Sequence, residues 1–144
     1  MKRMSALLCV VAMLSVMVCS ALAAQTKQQE KIDLGDGFYL VETIVQSPLG
    51  RAGDTASGTK RGDVYSGSTK IGTASLTAIF DLSGSSAKAT DASIDGTGQN
   101  GGSYLRGTTH LSGNTAYGTA YFSYNGKNVT ANLSLSCSAS GVLS

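Results

Sequence analysis

Tryptophan is absent, proline and histidine occur once each, and the only cysteines are Cys9, Cys19 and Cys137. Each scarcity removes something. One histidine and one cysteine beyond position 24 are too few nitrogen and sulfur ligands for a structural zinc. A lone Cys137 excludes an intrachain disulfide once the first residues are removed. Excess charge is missing too. The eleven Lys and Arg outnumber the nine Asp and Glu only through Lys2 and Arg3, so the rest balances nine against nine. A neutral domain has no long-range field to steer it onto nucleic acid or anionic lipid, and neither partner is expected. Sustained helical periodicity is also lacking beyond residue 24.

What is present begins with a leader. Lys2 and Arg3 precede an apolar stretch over 6–18, and Ala21 and Ala23 supply the small residues that signal peptidase needs before its cut. Residues 1–24 are therefore expected to be a signal peptide. The apolar stretch falls short of the roughly 20 residues of a spanning helix, so no membrane insertion is expected. Val18 stands before Cys19 where lipidation wants a small residue. The mature chain is expected outside the cell, secreted or associated with the cell surface.

The remainder reads as a polar, flexible arm over 25–34 and one β-domain over 35–144. Residues 38–46 (FYLVETIVQ) are β-branched and aromatic, and predict a strand. Residues 47–62 hold the single proline and several glycines and predict the longest loop. Short strands follow. Over 73–82, Leu76, Ala78, Phe80 and Leu82 alternate with Thr77 and Asp81; a weaker strand is expected over 87–94 and a further strand over 103–111, with a loose glycine loop over 95–102 between them.

The clearest element is a hairpin around Asn125-Gly126, both of which tolerate positive φ. A two-residue turn there pairs residues whose numbers sum to 251. Phe122 then faces Val129, Ala120 faces Ala131, Gly118 faces Leu133 and Ala116 faces Leu135, all on one side. Tyr121 with Thr130, Thr119 with Asn132 and Tyr117 with Ser134 occupy the other. Turn chemistry and two independent alternations agree on one buried and one wet face. Six to eight such strands predict an all-β fold, a single antiparallel β-sandwich of immunoglobulin-like type, with a small β-barrel as the second choice.

Motifs of chemistry are weak. Ser57-Gly58-Thr59-Lys60 and Ser85-Ser86-Ala87-Lys88 match S-x-x-K, and Ser112-Gly113-Asn114 matches S-x-N, but such enzymes need the serine to open a helix and a far larger fold. His110 has no companion carboxylate nearby in sequence and no marked nucleophile, and reads as a surface residue of a strand. Asp81, Asp91 and Asp95 match no calcium-ligand spacing. No catalytic, cofactor or metal residue is assigned. Asn128-Val129-Thr130 and Asn132-Leu133-Ser134 are overlapping sequons, relevant only in a eukaryotic source.

Residues 76–80 (LTAIF), 84–87 (GSSA), 112–116 (SGNTA) and 135–141 (LSCSASG) resemble small, uncharacterised secreted β-domain proteins of clostridia and related Gram-positive bacteria. The resemblance implies a bacterial, extracellular setting and carries no activity with it.

Function is accordingly expected to be binding rather than catalysis, toward a protein or carbohydrate partner. The wet face of Tyr117, Thr119, Tyr121, Thr130 and Asn132 is the candidate surface, because tyrosine offers contact area with a polar tip. Two alternatives stand beside it. One is self-assembly into a homo-oligomer through edge strands, with Cys137 forming an intermolecular disulfide; the other is an enzyme inhibitor that inserts the loop bearing Pro48 and Arg51. On either side of that alternative, Cys137 continues the apolar face of Leu133 and Leu135 and is expected to be buried.

Overall fold

The structure, a computed structural model, describes residues 29–52 and 54–144, with the side chains of 46–52 set aside. The expected signal peptide lies outside the described residues. Eight strands follow in order: β1 (Glu30–Gly35), β2 (Phe38–Ala52), β3 (Thr55–Ser66), β4 (Thr69–Asp81), β5 (Lys88–Gly98), β6 (Ser103–Ser112), β7 (Thr115–Tyr124) and β8 (Lys127–Ser136). Strands β1 to β5 form one antiparallel sheet and β6 to β8 a second, each in sequential order. This is an all-β sandwich of two antiparallel sheets. The sheets do not close on each other by hydrogen bonds, so the barrel alternative is set aside. Every connection within a sheet joins neighbours, whereas immunoglobulin sandwiches use Greek-key crossovers. The strand order therefore supports the sandwich and not the finer immunoglobulin-like label.

Alternation fixes which side of each strand is buried. Phe38 and Leu40 on β2, Val64 on β3, Ala74, Leu76, Ala78 and Phe80 on β4 meet Ala116, Ala120 and Phe122 on β7 and Val129, Ala131, Leu133 and Leu135 on β8. Glycines at inward positions replace the bulk that a side chain would bring. Gly62 lies under Leu133 as well as Leu40 of its own sheet, and Gly118 under Leu76 and Ile94, so large residues of one sheet seat on bare backbone of the other. A chain without tryptophan and rich in small residues thus reaches a dense core by bringing its sheets close.

Strand β7 and β8 pair as the 251 sum requires, from Thr115 with Ser136 to Tyr124 with Lys127, and Asn125 and Gly126 take φ of 49° and 75°. Three other expectations need correction. Residues 30–34 of the supposed arm belong to β1, because Ile32 and Leu34 pack against the core while Lys31 and Asp33 face out. A two-residue apolar alternation behind a polar run is enough to add an edge strand. Residues 47–62 are not a long loop either. Strands β2 and β3 continue through them as a hairpin, with the register shifting between Gln46 and Arg51. Glycines 58 and 62 read as loop residues in sequence, yet they occupy inward strand positions, opposite Leu143 and Leu133. Pairing of Arg51 with Ala56 draws the expected insertion loop into this hairpin, with residues 47–50 falling inside the register shift.

The glycine run over 95–102 is the third. Strand β5 continues to Gly98, and the chain changes sheets in a tight corner over Gln99–Gly102. The corner is tied down at the start of β4: the Gln99 amide donates to the Ile71 carbonyl, and the Asn100 side-chain amide donates to the Lys70 carbonyl, both at 2.9 Å.

Candidate functional site

The outer face of the three-stranded sheet is a grid of three rows. Register places Arg106 on β6 beside Tyr121 on β7 and Thr130 on β8; Thr108 beside Thr119 and Asn132; and His110 beside Tyr117 and Ser134. The five residues expected to share a wet face do share it, and β6 adds Arg106, Thr108 and His110. These three were missed because β6 is weakly patterned and its register shifts between Tyr104 and Arg106. The signal that could have found them is the Ser112-Gly113-Asn114 turn, which sets β6 against β7.

The rows are ordered by their own contacts. The rings of His110 and Tyr117 stack at 4.5 Å with 5° between planes, and the Arg106 guanidinium lies 4.6 Å from the Tyr121 ring centre. A cation over an aromatic face at that distance is favourable by roughly 0.5–1 kcal/mol at an exposed site. The His110–Tyr117 separation is close to the spacing of neighbouring strands, ~4.8 Å, so the two rings stand upright, side by side. One face of Tyr117 is thereby covered. On its other side the row ends in Ser134, which is too short to cover a ring, and Tyr117 keeps 38% of its surface exposed. In the middle row the Thr119 hydroxyl donates to Asn132 Oδ1 at 2.9 Å, which orients the amide and leaves its Nδ2 hydrogens to donate elsewhere.

Charge is distributed unevenly over this face. Strands β6 to β8 contain no Asp or Glu; Arg106 and His110 lie on β6, the strand next to Asp91 and Asp95 of β5, and Lys127, at the start of β8, has the inward parity of Val129 and pairs with Asp36 at 3.9 Å. The half formed by β7 and β8 presents hydroxyl, phenol and amide groups only at Tyr117, Thr119, Tyr121, Thr130, Asn132 and Ser134.

The remaining sequence candidates do not assemble. Ser57 and Lys60 fall on opposite faces of β3, as an odd spacing in a strand requires, so no hydroxyl–lysine pair forms there. Lys60 instead points inward and bonds Glu42 at 2.8 Å and the Ser134 carbonyl at 2.9 Å, linking the two sheets. Asp81 accepts the Ser83 amide, Asp95 accepts the Gly96 amide, and Asp91 and Asp95 stand about 13 Å apart along β5. Among the described residues no group of three metal-ligating side chains gathers.

Cys137 is free and 1% exposed, and burial pushes its thiol above the ordinary value. The thiol is covered, as a continued apolar face requires, and a disulfide to a second chain would need this cover to open first. A second aromatic cluster lies on the other sheet, where Tyr39 stacks on Tyr65 at 5.1 Å and Lys31 Nζ sits 3.9 Å from the Tyr39 centre. An open cleft of about 720 Å³ adjoins it, lined by Lys31, Asp33, Phe38 and Tyr39 among others. Tyr65 on β3 and Lys31 on β1 flank the Tyr39 ring, which lines this cleft. No protein family, curated protein or solved structure matches this chain.

Proposed function

We propose that the chain is an exported, non-enzymatic binding domain that meets its partner through the outer face of β6, β7 and β8. The reading rests on one observation: Tyr117 is held upright by His110 on one side and left open above Ser134 on the other. A rigid aromatic with one free face gives contact area at small conformational cost, because its rotamer is already selected. Export rests on the leader, with Lys2, Arg3 and the Ala21-Leu22-Ala23 site.

The test uses the mature protein with Tyr117→Ala on this face and Tyr39→Ala on the opposite sheet. Each is incubated with isolated cell-wall material and with culture medium, and retention is measured. Loss of retention in Tyr117→Ala with Tyr39→Ala unchanged is the expected result. The reverse pattern would move the site to the five-stranded sheet and end this reading.

A further inference from the structure

We infer that the partner of this face is a neutral carbohydrate chain, seated on the β7–β8 half against the open face of Tyr117. The inference rests on the binding reading above and names the chemistry of its ligand. Three features of the half-face point the same way. First, an uncovered tyrosine ring beside a short Ser134 forms a step as deep as an upright aromatic, and the axial C–H groups of a sugar ring fit such a face. Second, Asn132 sits one row away with its oxygen already occupied by Thr119, so its Nδ2 hydrogens are free to donate to a sugar hydroxyl. The Thr130 side chain, exposed in the next row, supplies a group that both donates and accepts.

Third, the outward rows of this half-face carry neither a charged residue nor an apolar patch, since Lys127 at the start of β8 has the inward parity and pairs with Asp36. A protein partner would want a desolvated apolar anchor at the centre of its contact, and the exposed large aliphatic residues of this sheet, Leu105 and Leu111, are both on β6. An acidic glycan would seek cations, but Arg106, the cation of the outward rows, is held over Tyr121, with Asp91 and Asp95 on the neighbouring strand. Hydroxyls, amides and one open ring remain, and a polyhydroxylated uncharged chain is the ligand that matches them.

Affinity gel electrophoresis of the mature protein tests this with soluble β-glucan, xylan and mannan as neutral polymers, and polygalacturonate as the acidic one. Retardation by at least one neutral polymer is expected, changing less than two-fold between 0.05 and 0.5 M salt (about the range over which a charge-led contact is screened). Tyr117→Ala and Asn132→Ala should each weaken it by about ten-fold, the effect of one lost contact of roughly 1.4 kcal/mol. Tyr117→Phe should retain most of it, since the ring face remains. Circular dichroism confirms that each variant is folded. Retardation by polygalacturonate alone, abolished by salt but still lost in Tyr117→Ala, would overturn the neutral-ligand inference and leave the binding face standing. No retardation by any polymer would overturn the inference too, and the cell-wall retention of Tyr117→Ala would then decide the broader reading by itself.

Discussion

The ring of Phe122 on β7 lies directly over the backbone of Gly72 on β4, so close that a Cβ at position 72 would stand 2.5 Å from the ring and 2.9 Å from the Thr97 carbonyl oxygen. Two sheets made mostly of small residues come together because such positions are bare. Glycine in a strand ordinarily weakens it by about 0.5–1 kcal/mol relative to alanine. Here the sign should reverse. Gly72→Ala is expected to destabilise the domain by about 1–3 kcal/mol through overpacking, measured by urea unfolding. Phe122→Leu in the same chain should recover part of the loss. A Gly72→Ala variant as stable as the parent would show that the sheets are free to move apart.

The ion pair between Glu42 and Lys60 makes a second prediction. Both side chains are only 12% exposed, and Lys60 also holds the Ser134 carbonyl on the outer edge of β8. Removing one partner strands the other charge near the core. Lys60→Met should cost about 3 kcal/mol, the low end for a buried pair because some solvent reaches it. The double variant Glu42→Gln, Lys60→Met should regain most of that, giving a coupling of about 1 kcal/mol or more in a double-mutant cycle. Simple additivity would show the pair to be solvated.

Much of this architecture was legible where local signals agreed. Asn125-Gly126 fixed the turn, and Phe122, Ala120, Val129 and Leu133 fixed the faces, so register and surface followed together. Legibility failed where a residue type has two meanings. Gly58 and Gly62 look like loop residues until Leu143 and Leu133 are seen to fill the space above them. Lys60 falls inside the expected loop until Glu42, eighteen positions earlier, is folded against it. The candidate face shows the same division. Tyr117, Thr119, Tyr121, Thr130 and Asn132 could be grouped from one hairpin, but the stack of His110 on Tyr117 needed the position of a weakly patterned third strand.

Acid stability should report on Asp63. Burial alone would raise its pKa, but bonds from Lys70 at 2.8 Å, Thr73 at 2.8 Å and Arg61 at 3.0 Å outweigh it and hold the carboxyl below 3.8. A depressed folded-state pKa stabilises the native state above the unfolded value, and that contribution is lost as pH falls through the folded one. The melting temperature should therefore drop as pH falls past 3.8 toward the lower folded value. Asp63→Asn should be less stable than the parent at pH 7, and the difference should shrink across that window. A constant difference from pH 7 to pH 2 would mean that the carboxylate contributes through shape alone.

The C-terminal turn makes the last prediction. After β8 the chain folds back, Ser136 and Ser144 exchange two backbone hydrogen bonds of 2.9 and 3.0 Å, and Cys137 bridges to Leu143. Leu143 is buried against the inward position of Gly58, which closes the sandwich between β3 and β8 over the thiol. A thiol reacts as thiolate, and this one is both covered and shifted upward by burial. In the native protein Cys137 should react with an aromatic disulfide reagent only as fast as the chain end opens. Leu143→Ala removes the plug at an expected cost of about 2–3 kcal/mol, within the range for truncating a buried leucine. If that energy is spent on local opening, the reaction should accelerate at least ten-fold while circular dichroism stays native. Unchanged kinetics would mean that Cys137 is exposed only by global unfolding, and that the turn is part of the core rather than a cover over it.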